Sequence, residues 1–110
     1  MGHSIALIVA NEPGPGRDDE YNRWYTGTHI PMMFKFKGLK KVSRYRRMNE
    51  DKESSKYLAV YEFDSKEDLA EFSSSPEFAA AVVDFDKKWQ GGGFESKWAA
   101  SYELIKAWEK

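Results

Sequence analysis

The chain has 110 residues, 41% of them hydrophobic and 15% aromatic, which allows one modest core filled by large rings rather than by many aliphatics. Seventeen Lys and Arg against eighteen Asp and Glu leave a formal charge of −1, so no bulk electrostatic attraction draws it to nucleic acid or to an anionic membrane. The absence of cysteine excludes disulfides, thiolate metal sites and a cysteine nucleophile, and suits a reducing compartment.

Ile5-Ala6-Leu7-Ile8-Val9-Ala10 is an apolar, partly β-branched run ended by Asn11-Glu12-Pro13-Gly14-Pro15-Gly16, and it reads as a buried strand followed by a loop. Asp18, Asp19 and Glu20 then suit the positive end of a helix and can cap it. That helix runs through Tyr21, Trp24 and Tyr25, with an interruption expected over 27–30, because Pro31 lacks an N–H and its ring disfavours an unbroken helix. Pro31 opens a second helical piece over 32–37, closed by Gly38. Residues 39–48 and 57–63 read as strands joined by a polar hairpin loop over 49–55.

Ser65 followed by Asp68 resembles a capping box, and Leu69 and Phe72 give its helix an apolar side. Ser75-Pro76 suits the cap and first position of a further helix, along which Phe78, Ala81, Val82, Phe85 and Trp89 keep helical spacing down to Gly91-Gly92-Gly93. Residues 101–108 are expected to form the last strand. The order strand, helix, strand, strand, helix, strand is a split βαβ: a ferredoxin-like βαββαβ α+β fold, one domain over 1–110, with both helices on one face of a four-stranded antiparallel sheet.

Helices on one face leave the other bare, yet the strands are apolar on both. Ile5, Leu7 and Val9 oppose Ala6, Ile8 and Ala10, and Tyr57, Ala59, Tyr61 and Phe63 oppose Leu58 and Val60. A second copy packed sheet to sheet is the economical cover, so a homodimer is expected. The N-terminal residues lack a signal peptide's basic start and long apolar run, and Met1-Gly2 is followed by Ala6 where myristoylation needs Ser or Thr. No run is long enough to span a bilayer, so a cytoplasmic protein with no membrane and no nucleic-acid partner is expected.

The segments Asn22-Arg23-Trp24-Tyr25, Thr28-His29-Ile30-Pro31, Gly38-Leu39 and Ser43-Arg44-Tyr45-Arg46 carry a wider pattern. Together with 57–63 and Ser75-Pro76-Glu77-Phe78, they make nearly the whole chain resemble the dimeric α+β barrel superfamily, and within it the EthD-like branch. The resemblance implies a ferredoxin-like protomer, a sheet-lined barrel in the dimer, and an apolar cleft between helices and sheet. That superfamily includes polyketide cyclases, cofactor-free quinone-forming monooxygenases, lactone isomerases, haem-degrading enzymes and accessory proteins of ether degradation, so the fold does not choose a chemistry.

Tyr21, Tyr25 and His29, spaced i, i+4, i+8, form one helical stripe ending in a titratable group. His29 can act as general acid or base on an acidic C–H or a phenol, and Tyr25 can hydrogen-bond a developing enolate or phenolate oxygen. Tyr21 and Trp24 can stack on a flat ring. Met33, in the helical piece after Pro31, joins them as a ligand contact. In the blander alternative, His29 caps carbonyls at the helix interruption.

Arg44, in the basic run Lys35, Lys37, Lys40, Lys41, Arg44, Arg46, Arg47, can grip a carboxylate or phenolate. Otherwise that run is a solvated edge that blocks strand aggregation, paired with Glu50, Asp51 and Glu53. His3 and His29 fit no metal-ligand spacing, Gly91-Gly92-Gly93 lacks the lysine and hydroxyl of a phosphate loop, and no nucleophile elbow is present. The glycines read instead as a flexible turn or lid hinge.

The expected function is that of a small cofactor-independent enzyme, of monooxygenase, cyclase or isomerase type, acting on a hydrophobic aromatic or polyketide-like molecule. One alternative is a non-catalytic metabolite binder or accessory protein of an oxidative pathway; another is a haem-handling monooxygenase.

Overall fold

In the computed structural model, which describes residues 3–50 and 53–110, four strands form one antiparallel sheet: β1 (Ile5–Pro13), β2 (Leu39–Arg46), β3 (Tyr57–Phe63) and β4 (Phe94–Glu103). Their order is β2-β3-β1-β4, which is the ferredoxin-like arrangement. Met1, Gly2, Asp51 and Lys52 lie outside the described residues. The myristoylation reading of the N-terminus and the pairing of Asp51 with the basic run therefore have no structural counterpart here.

The side-chain alternation decides which way the sheet faces. Tyr57, Ala59, Tyr61 and Phe63 are buried beneath the helices, while Leu58, Val60 and Glu62 are half-buried on the outer face. On β1, Ile5, Leu7, Val9 and Asn11 share the inner face, two residues apart. Trp98 and Tyr102 on β4 extend the outer face and are 44% and 52% exposed. Among the described residues no helix covers that face.

Helix α1 (Asp18–Trp24) starts at Arg17 without a side-chain cap, although acids fill its first turn. Asp18 instead accepts from the Tyr57 hydroxyl and pairs with Lys56, tying the helix start to β3. Where an interruption is expected the helix widens rather than breaks, into a π-turn over Tyr25–His29, with the Ile30 N–H reaching back to the Tyr25 carbonyl. Pro31 donates no backbone hydrogen bond, and one extra residue per turn accommodates it with helical backbone retained. The second piece, α2 (Ile30–Met33), is shorter than the expected 32–37, and residues 34–37 form turns before β2.

Helices α3 (Lys66–Ser73) and α4 (Pro76–Lys88) begin at the expected caps: Ser65 Oγ accepts from the Asp68 N–H and Ser75 Oγ from the Phe78 N–H, both at 3.1 Å. Gly91, Gly92 and Gly93 follow with φ of 82°, 96° and 135°, and a Cβ on Gly93 would lie 2.4 Å from the Trp89 ring. The glycines thus make a positive-φ turn that is close-packed at Gly93, while Gly91 and Gly92 have nothing within 4 Å of an added Cβ.

Three strand limits differ from the sequence reading. β1 continues through Asn11-Glu12-Pro13, and β2 stops at Arg46. The last strand is Phe94–Glu103 rather than 101–108, because among the described residues it pairs with β1 alone and that pairing runs from Pro13↔Phe94 to Ile5↔Glu103. Beyond it, the Leu104 N–H still reaches the Ser4 carbonyl, but residues 104–110 form no regular element.

Candidate functional site

A cavity of about 300 Å³ opens between the π-turn, α4 and the inner face of the sheet. That size is at the lower end for small-molecule sites. Phe72, Phe78, Phe85 and Phe94 supply apolar walls. Asn11, Tyr25, Met33 and Tyr61 form a floor no more than 3% exposed, and Val82, Asp86 and Ser96 stand exposed at the rim. A larger hollow of about 650 Å³ at the hairpin end is lined by charged groups such as Glu12, Arg47 and Lys97, and contains none of the sequence-predicted site residues.

His29 enters this cavity because of the π-turn. One extra residue in the turn swings its ring over Trp24, with centroids 4.5 Å apart and planes inclined by 24°, while Tyr25 stands edge-on at 4.9 Å. Burial pushes the imidazole down to about 4, with the nearby Asp84 carboxylate opposing the shift, so the ring is neutral at pH 7. Its Nδ1 is buried and has no hydrogen-bond partner, so the ring does not use that nitrogen to cap a carbonyl.

The Tyr25 and Tyr61 hydroxyls hydrogen-bond to each other on the floor. Burial raises both phenols above their ordinary values, keeping them protonated. Asn11 Nδ2 donates to the Tyr21 hydroxyl at 2.7 Å, and its Oδ1 is buried without a partner. β4 carries an extra residue between Ala10↔Trp98 and Asn11↔Ser96, and such a bulge turns the local backbone where Asn11 faces the cavity.

Of the residues expected at a site, Tyr25, His29 and Met33 line the cavity, while Tyr21, Trp24 and Arg44 stand behind it. Tyr21 is 1% exposed and packed against Tyr25, Tyr57 and Phe94. Trp24 Nε1 donates to Asp84 at 2.8 Å. Arg44 lies 4.7 Å above the Tyr25 ring and donates to Asn22 Oδ1 and Thr26 Oγ1, so its charge braces the tyrosine layer from outside the cavity.

Asn11 and Tyr61 were not among the expected site residues. The signal for Asn11 is its phase: a polar residue two positions beyond Val9 falls on the apolar inner face. Tyr61 sits in a visible alternation, but nothing local tells that its hydroxyl meets Tyr25.

A family model described as a domain of unknown function, DUF4286, matches residues 15–91. The chain belongs to that family. No curated protein matches this DUF4286 member. Among solved structures it resembles an EthD family protein from Bacillus halodurans C-125, with a TM-score of 0.67, 18% identity, and 92% of this chain and 99% of that one covered. It also resembles HapK from Hahella chejuensis, with a TM-score of 0.72, 11% identity and coverage of 96% and 97%. A third is a mutant of SnoaB, a cofactor-independent oxygenase from Streptomyces nogalater, with a TM-score of 0.70, 12% identity and coverage of 99% and 100%. These likenesses show the fold, which is ferredoxin-like as in those structures.

Proposed function

We propose that this DUF4286 protein is a small cofactor-independent enzyme of monooxygenase, cyclase or isomerase type, acting on a hydrophobic, ring-bearing molecule in the cavity beneath the π-turn. The observation that carries the reading is the ring of His29 on the wall of a ring-lined cavity, its Nδ1 buried and unpartnered, beside the hydrogen-bonded hydroxyls of Tyr25 and Tyr61. His29 serves as the base, taking a proton from an acidic C–H or O–H; near pH 7 it holds no proton to give as an acid until it has taken one. The Tyr25–Tyr61 pair hydrogen-bonds the oxygen on which charge develops. Tyr21, Trp24 and Arg44 position this set, and Met33 contacts the ligand. The likeness to SnoaB lends support at the level of the fold.

The same reading includes a homodimer closed sheet to sheet, favoured by the uncovered apolar face with Val60, Trp98 and Tyr102. It also places one domain over 1–110 in the cytoplasm; among the described residues no helix is long and apolar enough to cross a membrane.

A non-catalytic metabolite binder is the second reading, favoured by the downshifted imidazole, which is a weak base. A haem-handling role fits less well, because a tetrapyrrole needs more room than about 300 Å³. Native mass spectrometry of freshly purified protein, followed by turnover assays on any carried ligand with His29→Gln, separates the first two. Loss of turnover with retained fold and binding supports the enzyme. A ligand released unchanged by both proteins supports the binder.

A further inference from the structure

The chain exposes 7669 Å² of surface, where a compact protein of 12.7 kDa exposes about 6,200 Å². The excess of roughly 1,400 Å² is larger than the about 800 Å² that each partner gives to a standard interface. The radius of gyration, 14.5 Å, is likewise above the about 13 Å of a compact chain this long. Two apolar surfaces stand bare: the outer face of the sheet, and the segment 104–110 that follows β4.

That segment continues the outer row of β4. Trp98, Ala100 and Tyr102 share the outer face at the two-residue period of a strand, and Leu104, Lys106 and Trp108 carry the same spacing onward. The Leu104 N–H donates to the Ser4 carbonyl at 2.7 Å, which sets where the segment leaves the sheet. Beyond that bond no backbone hydrogen bond ties it down among the described residues. Trp108 is 78% exposed although a bare apolar face lies on the same sheet, so its own protomer does not cover it.

The outer face offers a matching receptor. A groove of about 450 Å³ runs over Ala6, Val60 and Tyr102, with Glu62 in its lining and no Lys or Arg. Glu62 stands opposite Lys41 on β2 but forms no ion pair among the described residues. Lys106 forms none either, and rests over the Trp108 ring at 5.0 Å. An indole beside a lysine complements an apolar groove beside a carboxylate. The reach is sufficient: residues 104–108, extended, span about 16 Å, and stacked sheets lie about 10 Å apart.

Resting on the sheet-to-sheet homodimer of the proposed function, we infer that residues 104–108 of each protomer cross to the second copy of the chain, where Trp108 enters the groove over that copy's Ala6, Val60 and Tyr102 and Lys106 faces its Glu62. Twofold symmetry makes the exchange reciprocal, with two such segments in each dimer.

Sedimentation of Trp108→Ser and hydrogen exchange of the parent chain test this together. Trp108 is exposed in the protomer, so its replacement leaves the fold of the single chain intact. The dimer dissociation constant is expected to rise at least about tenfold, since two buried indoles are lost per dimer. Amides 105–108 are expected to exchange at least about tenfold more slowly in the parent dimer than in the Val60→Glu monomer. If Val60→Glu fails to fold, dilution of the parent below its dissociation constant supplies the monomer.

A parent dimer in which amides 105–108 exchange like an unstructured chain overturns the inference and leaves the homodimer standing. So does a dissociation constant that Trp108→Ser leaves unchanged. Equal protection in dimer and monomer also overturns it, because the segment then lies on its own protomer. A monomeric parent overturns the homodimer itself and takes the inference with it.

Discussion

The imidazole of His29 stacks on the indole of Trp24 at 4.5 Å, five residues back along the chain. In a regular α-helix residues five apart diverge around the axis, and the partners of a histidine are three and four residues back. The π-turn over Tyr25–His29 is what brings them together, and the same widening turns the ring toward the cavity. A titratable ring is thereby held among Trp24, Tyr25 and Phe85 on the wall of the cavity.

Acid sensitivity follows from that burial. The folded imidazole titrates near 4 and the unfolded one near 6.5, so between those values the unfolded chain binds the extra proton. Stability is complete above about pH 6.5 and falls as pH drops toward 4, by about 3 kcal/mol in all. His29→Gln is expected to flatten the melting temperature between pH 6.5 and 4.5. Lowered carboxylates such as Glu20, held near 2 by Arg17 and Lys88, contribute only below that window. An unchanged slope in the variant contradicts the assignment.

Asp84 accepts from Trp24 Nε1 and its charge favours protonation of His29. Asp84→Asn keeps an acceptor for the indole and removes the charge. The His29 titration, followed by NMR of the ring protons, is expected to move to still lower pH. A titration that stays in place means the carboxylate field does not reach the ring.

Removing the Tyr61 hydroxyl leaves its Tyr25 partner buried and without that bond. Tyr61→Phe is expected to cost about 1–2 kcal/mol in urea unfolding. A stability equal to the parent would indicate that water replaces the lost hydroxyl.

Arg44 spans the rings of Tyr21, Tyr25 and Tyr57 at 4.7–5.6 Å and also bonds Asn22 and Thr26. Arg44→Met is expected to lose about 1–2 kcal/mol of stability, and Arg44→Lys to recover little of it, because an ammonium lacks the planar fork. Affinity for naphthalene should stay within about threefold, since the guanidinium lies behind the cavity wall. A large loss of affinity would place Arg44 in the site itself.

Sedimentation should find the parent chain as a dimer at micromolar concentration and Val60→Glu as a monomer. Val60 lies on the outer face of the inner strand β3, where an added charge would be trapped between two sheets. A monomeric parent would remove the sheet-to-sheet assembly.

The element order could be read from the sequence alone because its signals are local. The run from Ile5, the alternation from Tyr57 to Phe63, and the caps at Ser65 and Ser75 each act within a few residues, and each element formed where they point. Tyr25 and His29 stood out as candidates because their helical spacing is likewise a local signal, and both line the cavity. The end of β4 was not, because Phe94–Glu103 is an exposed edge with weak alternation, and its limits are set by the length of β1. Only the tertiary structure separated Tyr25, His29 and Met33, which line the cavity, from Tyr21, Trp24 and Arg44, which do not. It also joined Asn11 to the floor and Tyr61 to Tyr25, 36 residues apart in sequence. Hydrogen bonds and burial between distant segments depend on packing, and no short-range pattern encodes them.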